Sequence, residues 1–178
     1  MDDSVDRRVR ELRERWPDVD ASSVPVAGRI GAICIHLARL SEEVFSPHGI
    51  RQGEADVLAA LWRVGPPHEL SPGRIRQNVA VSSGGMTARL DRLEKLALLA
   101  RRPDPADRRG VLVALTDNGR ELIERLVREY LARQTQFINI LSKQERAQLA
   151  RVLNKLTIAA EEADRRKPPL VNRPRMEG

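Results

Sequence analysis

The stretch Ser71–Leu115, SPGRIRQNVAVSSGGMTARLDRLEKLALLARRPDPADRRGVLVAL, decides the fold of this chain. Two short helical patterns come first, and two β-rich runs around a turn follow them. The stretch holds nine Arg or Lys residues and four acidic ones, a net charge of +5 where the whole chain has +6. Charge concentrated in this way indicates an acidic polymer as partner, and the helical pattern favours duplex DNA. We therefore predict a helix-turn-helix followed by a basic two-stranded wing.

Local signals place the elements of this unit. Ser71 followed by Pro72 is an N-cap with proline at the first helical position, which predicts a helix ending near Asn78. Ser82 or Ser83 is expected to cap the next helix, which would be the recognition helix. Its inward-facing residues are predicted to be Met86, Leu90, Leu93 and Leu96. The wing is predicted as strands at 98–102 and 110–115 with a turn at 103–107.

The flanking sequence is predicted to be helical. Apolar residues at helical spacing indicate helices at 25–46 and 53–64 before the central unit. After it, Thr116 is expected to cap a long helix over 117–141, and a Ser-x-x-Glu capping box at 142–145 opens a last helix. The predicted fold class is mainly α with a small β-hairpin, a winged helix-turn-helix with long N- and C-terminal dimerisation helices.

Three segments make up the predicted domain organisation. Residues 1–20 form an extra N-terminal helix, 21–164 the winged helix-turn-helix domain with its DNA-binding core at 50–116, and 165–178 a basic, disordered tail. The long flanking helices carry more apolar surface than the central module covers, so we expect a homodimer. A monomer whose termini pack on each other is the alternative.

Composition limits the class of protein. With 178 residues, 41% of them hydrophobic, the chain can bury one core. The single cysteine excludes an internal disulfide, the opening residues are acidic rather than a signal peptide, and no run reaches about 18 apolar residues. We expect a cytoplasmic protein that does not enter a membrane.

Signs of enzymatic or metal chemistry are missing from the sequence. It has no Gly-x-Ser-x-Gly elbow and no phosphate-binding glycine loop. His36, His48 and His68 lack metal-ligand spacing with each other and with Cys34. Aromatic residues make up 3% of the chain, too few for a platform that stacks single-stranded bases. We expect no enzymatic activity, no cofactor and no metal site.

The predicted DNA contacts lie on the helix-turn-helix and the wing. Hydroxyl groups suit phosphates and mixed base edges, Arg92 would contact guanine in the major groove, and the wing arginines would reach the minor groove or phosphates. Asp107 is expected to orient one wing arginine by a short ion pair. The alternative is that these side chains only cap and solvate the helix and the hairpin. The predicted DNA-binding residues are Ser71, Arg74, Ser82, Ser83, Thr87, Arg92, Arg108 and Arg109.

The succession of residues in 53–119 resembles the MarR family of bacterial transcriptional regulators. The resemblance rests on Ser82-Ser83-Gly84-Gly85-Met86-Thr87, on Asp107-Arg108-Arg109 and on Leu115-Thr116-Asp117-Asn118-Gly119. It implies a homodimer that binds a pseudo-palindromic operator and releases it on binding a small ligand. One departure is Ala97, where the family usually has glycine after the recognition helix. A left-handed alanine costs about 1 kcal/mol relative to glycine, so we expect the helix to end differently here.

A narrower resemblance concerns the extra N-terminal helix, which is similar to that of the urate-responsive branch of this family. It implies a ligand site formed by Trp16, Asp56, Arg89 and Arg101. The residues themselves leave alternatives open: Trp16 as a hydrophobic cover, Asp56 as a surface carboxylate and Arg89 as a phosphate contact. Asp56 interrupts an apolar run, and as a buried carboxylate it would need a partner, for which Arg101 is the expected residue.

The predicted function is a sequence-specific DNA-binding regulator, a repressor released from its operator by a small anionic ligand such as urate. One alternative is an architectural DNA-binding protein that needs no ligand. Another is a regulator that senses oxidation through Cys34, although this thiol shares the apolar face of Ile30 and Leu37 and is expected to be buried and inert.

Overall fold

The structure is a computed structural model, and it describes residues 2–79 and 83–166 except for the side chains of residues 83, 84 and 108. Seven α-helices and one three-stranded sheet are present in the described ranges. The helices are α1 Ser4–Arg15, α2 Val24–Phe45, α3 Gln52–Arg63, α4 Pro72–Asn78, α5 Ser83–Lys95, α6 Asp117–Ile138 and α7 Lys143–Arg166. The strands are β1 Glu69–Leu70, β2 Leu99–Asp104 and β3 Asp107–Leu115. The predicted class, mainly α with a small β-hairpin in a winged helix-turn-helix, is confirmed.

Two compact units divide the chain, residues 1–134 and residues 135–178. The core of the first unit lies around α3, whose Val57, Leu58 and Leu61 are fully buried. Ile75 of α4, Leu93 of α5 and Val113 of β3 pack into the same cluster with residues of α6. The helix-turn-helix and the wing therefore rest on one continuous core.

Local capping signals explain where the helices begin. Asp3 accepts hydrogen bonds from the backbone of Val5 and Asp6, and the Asp6 carboxylate accepts one from the backbone of Asp3, which forms a capping box for α1. The predicted caps at Ser71 and Thr116 are present, because each side-chain oxygen accepts from the backbone N–H three residues on. The predicted capping box between Ser142 and Glu145 is also present, and it opens α7.

The sheet is larger than the sequence predicted. All three strands are antiparallel, in the order β1-β3-β2, and the short strand β1 pairs Glu69 with Ala114 and Leu70 with Val113. The wing strands extend further than expected, which leaves only two residues, 105 and 106, between them. The wing is therefore a tighter hairpin than the predicted five-residue turn.

The end of α5 contradicts one prediction. Ala97 lies in the left-handed region, with φ of 54°, where the sequence had led us to expect a different helix end. The backbone N–H of Leu98 donates to the carbonyl of Leu93 at 3.0 Å, and that of Ala97 donates to the carbonyl of Glu94 at 2.8 Å. Alanine therefore takes the left-handed capping position that glycine usually fills, despite the steric cost.

Helices α2 and α7 each expose several apolar side chains. On α2 the exposed set includes Val26, Ile33 and Ile35, and on α7 it includes Leu149, Val152, Leu153 and Leu156.

The segment Val24–His48 is long and apolar enough to cross a membrane by length and composition, with a mean hydropathy of 1.2 in its most apolar window. Helices of soluble proteins pass the same test, so the segment is weak evidence for a membrane.

Candidate DNA-binding surface and ligand site

The recognition helix α5 turns one side to the core and another to solvent. Met86, Leu90 and Leu93 are buried, as their spacing predicted, whereas Thr87 is exposed. Leu96, which was also expected to face inward, is exposed because it follows the last residue of α5. The outward side of the helix is therefore the one that carries Thr87.

The wing tip is organised by two aspartates. Asp104 accepts a hydrogen bond from the backbone N–H of Ala106 at 2.8 Å, and Asp107 accepts one from the backbone N–H of Arg109 at 3.0 Å. Asp107 thus fixes the backbone at Arg109, where we had expected it to form an ion pair with an arginine side chain. The side chain of Arg109 is exposed.

Four exposed cations of the basic segment form no ion pair with any residue in the described ranges. They are Arg74 and Arg76 on α4, Lys95 at the end of α5 and Arg109 on the wing. The other arginines of the segment whose side chains the structure describes form ion pairs or are partly buried. Arg102, for example, pairs with Glu69 across the sheet. Unpaired exposed cations can neutralise phosphates without first losing an internal partner.

Arg92 forms contacts within the protein that the sequence did not predict. Its Nη1 donates to Glu54 on α3, a carboxylate that is only 3% exposed, and its Nη2 donates to the carbonyl oxygen of Gly49 at 2.8 Å. Both terminal nitrogens therefore donate to acceptors within the protein, although the side chain is 40% exposed. Arg92 joins the recognition helix to the start of α3, and its predicted contact with guanine would require these hydrogen bonds to be exchanged.

The predicted pair between Asp56 and Arg101 is not formed. Asp56 accepts a hydrogen bond from the Gln52 side chain at 2.8 Å on its own helix. Arg101 on β2 instead pairs with Asp91 and Glu94 of α5, each at 2.6 Å. The hydrogen bond from Arg101 to Asp91, together with the two nearby carboxylates, raises the pKa of this guanidinium above its usual value. Arg101 therefore connects the first wing strand to the recognition helix.

Arg89 occupies an unusual environment. Its Nη1 is buried and has no hydrogen-bond partner among the described residues. The guanidinium lies against Gly53 at the start of α3, where a Cβ atom would come within 2.6 Å of the Arg89 Cζ. The N-terminus of a helix carries partial positive charge, so this cation sits beside a second positive group. Such an environment favours a bound anion.

Trp16 lies at the end of α1, and its side chain is 50% exposed. The Arg15 guanidinium lies 5.8 Å from the centre of its ring. Trp16 follows α1, whereas Asp56 lies on α3, Arg89 on α5 and Arg101 on β2. The predicted ligand residues therefore come from four different parts of the chain, and the site that they would form stays a prediction.

Several predicted site residues fall outside the described part of the chain or differ from expectation within it. Ser82 lies outside the described residues, and so do the side chains of Ser83 and Arg108. Cys34 is exposed on α2, which contradicts the expected burial. No cluster of three or more potential metal ligands was found within residues 2–79 and 83–166.

Three residues with clear structural roles were not singled out from the sequence. Glu54 is the buried partner of Arg92, Gly53 is the contact point of Arg89, and Ser41 has a buried hydroxyl with no hydrogen-bond partner among the described residues. Only Glu54 had a local signal, since it is the third residue of α3 and accepts from the backbone of Arg51, as in a capping box.

This arrangement defines a winged helix-turn-helix unit with unpaired cations on α4, α5 and the wing. A protein-family model described as MarR family matches residues 48–110. The HTH-type transcriptional regulator PecS of Dickeya dadantii is 33% identical to this chain over 148 residues, 83% of the chain and 89% of PecS. The chain belongs to the MarR family of transcriptional regulators.

Solved structures agree with this assignment. A mutant MarR from E. coli, complexed with operator DNA, superposes with a TM-score of 0.67 at 27% identity, over 78% of this chain and 98% of MarR. BpsR of Bordetella bronchiseptica superposes with a TM-score of 0.64 at 26% identity, over 74% of this chain and 92% of BpsR. DNA binding by BpsR is regulated by 6-hydroxynicotinic acid.

Proposed function

We propose that this protein is a homodimeric repressor that binds a pseudo-palindromic operator and releases it when a small organic anion, such as urate, binds. The observation that carries the DNA-binding part is the set of exposed cations on α4, α5 and the wing that have no ion-pair partner among the described residues. The MarR structure with operator DNA supports the same use of this fold. We place the protein in the cytoplasm, where it would meet DNA.

Each part of the surface has a distinct role in this proposal. Ser71 at the start of α4, Thr87 on the recognition helix, and the neighbouring Ser82 and Ser83 contact phosphates and base edges. Arg74 contacts phosphate, and the wing residues Arg108 and Arg109 enter the minor groove or contact its phosphates. Arg92 holds the recognition helix in place from the inside, so it contributes to DNA binding without touching DNA.

Dimerisation supplies the second winged unit, which would bind the second half-site of the operator. The exposed apolar residues of α7, Leu149, Val152, Leu153 and Leu156, recur at helical spacing and so form one stripe. The exposed apolar side of α2 is the second such surface. Contiguous apolar surface of this kind marks an interface, and two winged units are needed to read two half-sites about 34–36 Å apart.

The effector is proposed to bind at Arg89. A buried guanidinium nitrogen without a partner, next to the positive end of α3, gains most from an anionic ligand. Trp16 is half exposed and is proposed to cover a flat ligand, with Asp56 of α3 and Arg101 of β2 as further ligand residues. The regulation of BpsR by 6-hydroxynicotinic acid is a precedent for an organic acid as effector.

The test is a titration of fluorescent operator DNA, taken from an inverted repeat in the DNA flanking the gene. A specific regulator should prefer this operator over random duplex by about 1,000-fold or more, whereas an architectural protein should show no such preference. Urate, xanthine and citrate are then added to the complex. Urate is expected to release the operator from the wild-type protein and from Arg13→Ala, a control on the exposed side of α1.

The Arg89→Ala variant decides the assignment of the anion site. It should keep its operator affinity within a few-fold and lose most of the response to urate, and Trp16→Ala should need more urate for the same effect. If none of the three anions shifts the complex at millimolar concentration, the anion site is wrong. An Arg89→Ala protein that responds like the wild type would have the same consequence.

A second candidate for the control mechanism follows from the exposure of Cys34. An accessible thiol on the proposed dimer face can be oxidised, and oxidation there would alter the interface. Treating the protein with diamide or peroxide before DNA binding tests this candidate, with Cys34→Ser as control. Loss of operator binding in the wild type alone would favour redox control over an anionic effector.

A further inference from the structure

Arg101 attaches the first wing strand to the recognition helix. Its Nη2 donates to Asp91 and its Nη1 to Glu94, each at 2.6 Å, and its backbone N–H donates to the other carboxylate oxygen of Glu94 at 3.3 Å. Among the described residues, the side-chain hydrogen bonds between β2 and α5 all involve Arg101. We call the group of Arg101, Asp91 and Glu94 the clasp.

The geometry of the clasp fixes the angle between the strand and the helix. Asp91 and Glu94 are three residues apart on α5, so both carboxylates lie on the same side of that helix. A guanidinium group is planar, and its donors form a rigid fork. Because the two terminal nitrogens of Arg101 bind two different carboxylates, the strand cannot slide or tilt against the helix without lengthening a hydrogen bond.

The clasp lies at the base of the wing, whereas Arg109 lies near its tip. At about 3.3 Å per residue of strand, residue 101 and the turn at 105 are about 13 Å apart, so a tilt of about 10° at the base moves the tip by about 2 Å. Hydrogen-bond lengths vary by only about 0.5 Å, so a displacement of this size would break a contact between Arg109 and a phosphate.

The charges of the clasp allow two opposite expectations for DNA binding. Asp91 and Glu94 are 48% and 38% exposed, and Arg101 balances only one of their two negative charges. If the carboxylates act only as charges, they repel phosphates, and removing them should strengthen DNA binding. If they hold Arg101 in place, removing them should weaken it.

We propose that the clasp positions the wing so that Arg109 reaches the DNA. Arg101 is therefore a positioning residue, and two acidic residues of the recognition helix promote DNA binding through it. The contact with DNA rests on the proposed function, whereas the hold of the clasp on the wing does not.

The hold on the wing is tested without DNA, by hydrogen exchange followed by mass spectrometry. Peptides from residues 99–115 should exchange faster in Arg101→Ala than in the wild type, because the strand is freed on the side of α5. Asp91→Ala/Glu94→Ala should give the same result, and alanine favours the helix, so α5 stays intact in this double variant. Lys95→Ala, exposed and next to the clasp, should exchange like the wild type. Equal exchange in all four proteins would overturn the proposal.

The role in DNA binding is tested by fluorescence anisotropy with operator DNA. Urate is left out, because an anion bound to Arg101 would compete with the two carboxylates. Asp91→Ala/Glu94→Ala should bind the operator at least about 5-fold more weakly than the wild type, the counterion-release value of one phosphate contact at physiological salt. Glu121→Ala removes an exposed carboxylate of α6 that has no ion pair in the described ranges, and it should not weaken binding. Stronger binding by the double variant would mean that the carboxylates act only as charges, which contradicts the proposal.

A double-mutant cycle shows whether the clasp acts through Arg109. Arg109→Ala should weaken operator binding in the wild-type background, but it should change binding by less than about 2-fold in Arg101→Ala, where the wing no longer presents Arg109. In Lys95→Ala the same substitution should keep its full effect. A full effect in Arg101→Ala would mean that the two arginines act independently, which overturns the positioning role. If the protein shows no operator preference, the proposed function fails, while the exchange rates still decide whether the clasp holds the wing.

Discussion

Arg92 on the recognition helix donates to Glu54, a residue 38 positions earlier in the chain. The carboxylate is buried, while the guanidinium side chain is 40% exposed. Removing the arginine would leave a carboxylate in the core with no cation beside it, and an uncompensated buried charge is costly. The position of α5 on the core therefore depends on this pair as well as on the apolar residues of the helix.

Replacing Arg92 should destabilise the protein. We expect Arg92→Ala to lower the free energy of unfolding by about 1.5–3 kcal/mol, the range for a hydrogen bond to a charged group. Urea denaturation gives the measurement. Lys95→Ala, on the same helix and exposed, is the matched control and should stay within about 0.5 kcal/mol of the wild type. Equal stabilities of the two variants would contradict a structural role for Arg92.

Replacing Arg109 should weaken binding to every DNA sequence. Arg109→Ala removes an exposed wing cation that has no internal ion-pair partner among the described residues, so affinities for operator and random duplex should fall together. The slope of log affinity against log salt should decrease by about one unit. Fluorescence anisotropy at several salt concentrations measures both effects, with Arg13→Ala as control. A wing assignment would be wrong if Arg109→Ala bound operator as tightly as the wild type at physiological salt.

Glycine at position 97 should stabilise the protein. Ala97 has a φ of 54°, where an L side chain costs about 1 kcal/mol that glycine does not incur. Ala97→Gly is therefore expected to raise the free energy of unfolding by about this amount, measured in urea. The same substitution in strand β2, Ala100→Gly, should lower stability because glycine is unfavourable in extended backbone. A loss of stability in both variants would show that the left-handed conformation is not retained in solution.

An acidic residue on the apolar stripe of α7 should dissociate the dimer. Leu153 lies on this stripe together with Leu149 and Leu156, and Asn154 lies on the other side of the same helix. Leu153→Glu should be monomeric by light scattering at micromolar concentration, and Asn154→Glu should remain dimeric. A monomeric wild-type protein would end the dimer proposal altogether.

The attachment of α1 should depend on pH. Arg29 donates to Asp6 at 2.7 Å, and this hydrogen bond holds the pKa of Asp6 below its usual value of 3.8. A lowered pKa means that the contribution of Asp6 is present above the unfolded value and is lost as the pH falls through the folded value. The difference in thermal stability between the wild type and Asp6→Asn should therefore be constant near neutral pH and shrink below about pH 4.

Asp18 provides the control for this pH dependence. It is exposed and forms no ion pair with any residue in the described ranges, so Asp18→Asn should match the wild type at every pH. A difference between the wild type and Asp6→Asn that persists unchanged to pH 3 would exclude the ion pair with Arg29 as its cause.

Local signals made the helices and their caps predictable from the sequence. The side chains of Ser71, Thr116 and Ser142 cap helices because the residues around them carry the whole signal. Strand β1 had no such signal, since two residues become a strand only by pairing with β3.

Partners of charged side chains were harder to predict. Helical spacing places Arg92 on α5, but it does not identify its acceptors. These are Glu54 and Gly49, which are distant in the sequence and are brought close only by the tertiary fold. The sequence led us to expect an ion pair between Arg101 and Asp56. In the structure Arg101 pairs with Asp91 and Glu94, because β2 runs beside the end of α5. Cys34 was expected to be buried because it shares the apolar face of Ile30 and Leu37, but periodicity does not show whether the same chain covers that face.

The junction after the recognition helix has a mechanical consequence. The Thr116 hydroxyl donates to the carbonyl of Ala97 at 2.7 Å, and a Cβ on Gly119 would come within 2.1 Å of the Leu98 carbonyl oxygen. The first turn of α6 therefore lies directly on the backbone that enters the wing, with no side chain between them to absorb movement. A rotation of that turn would therefore displace the backbone of Ala97 and Leu98 and, with it, strand β2. In this way the start of α6 is coupled to the wing, the part of the protein proposed to enter the minor groove.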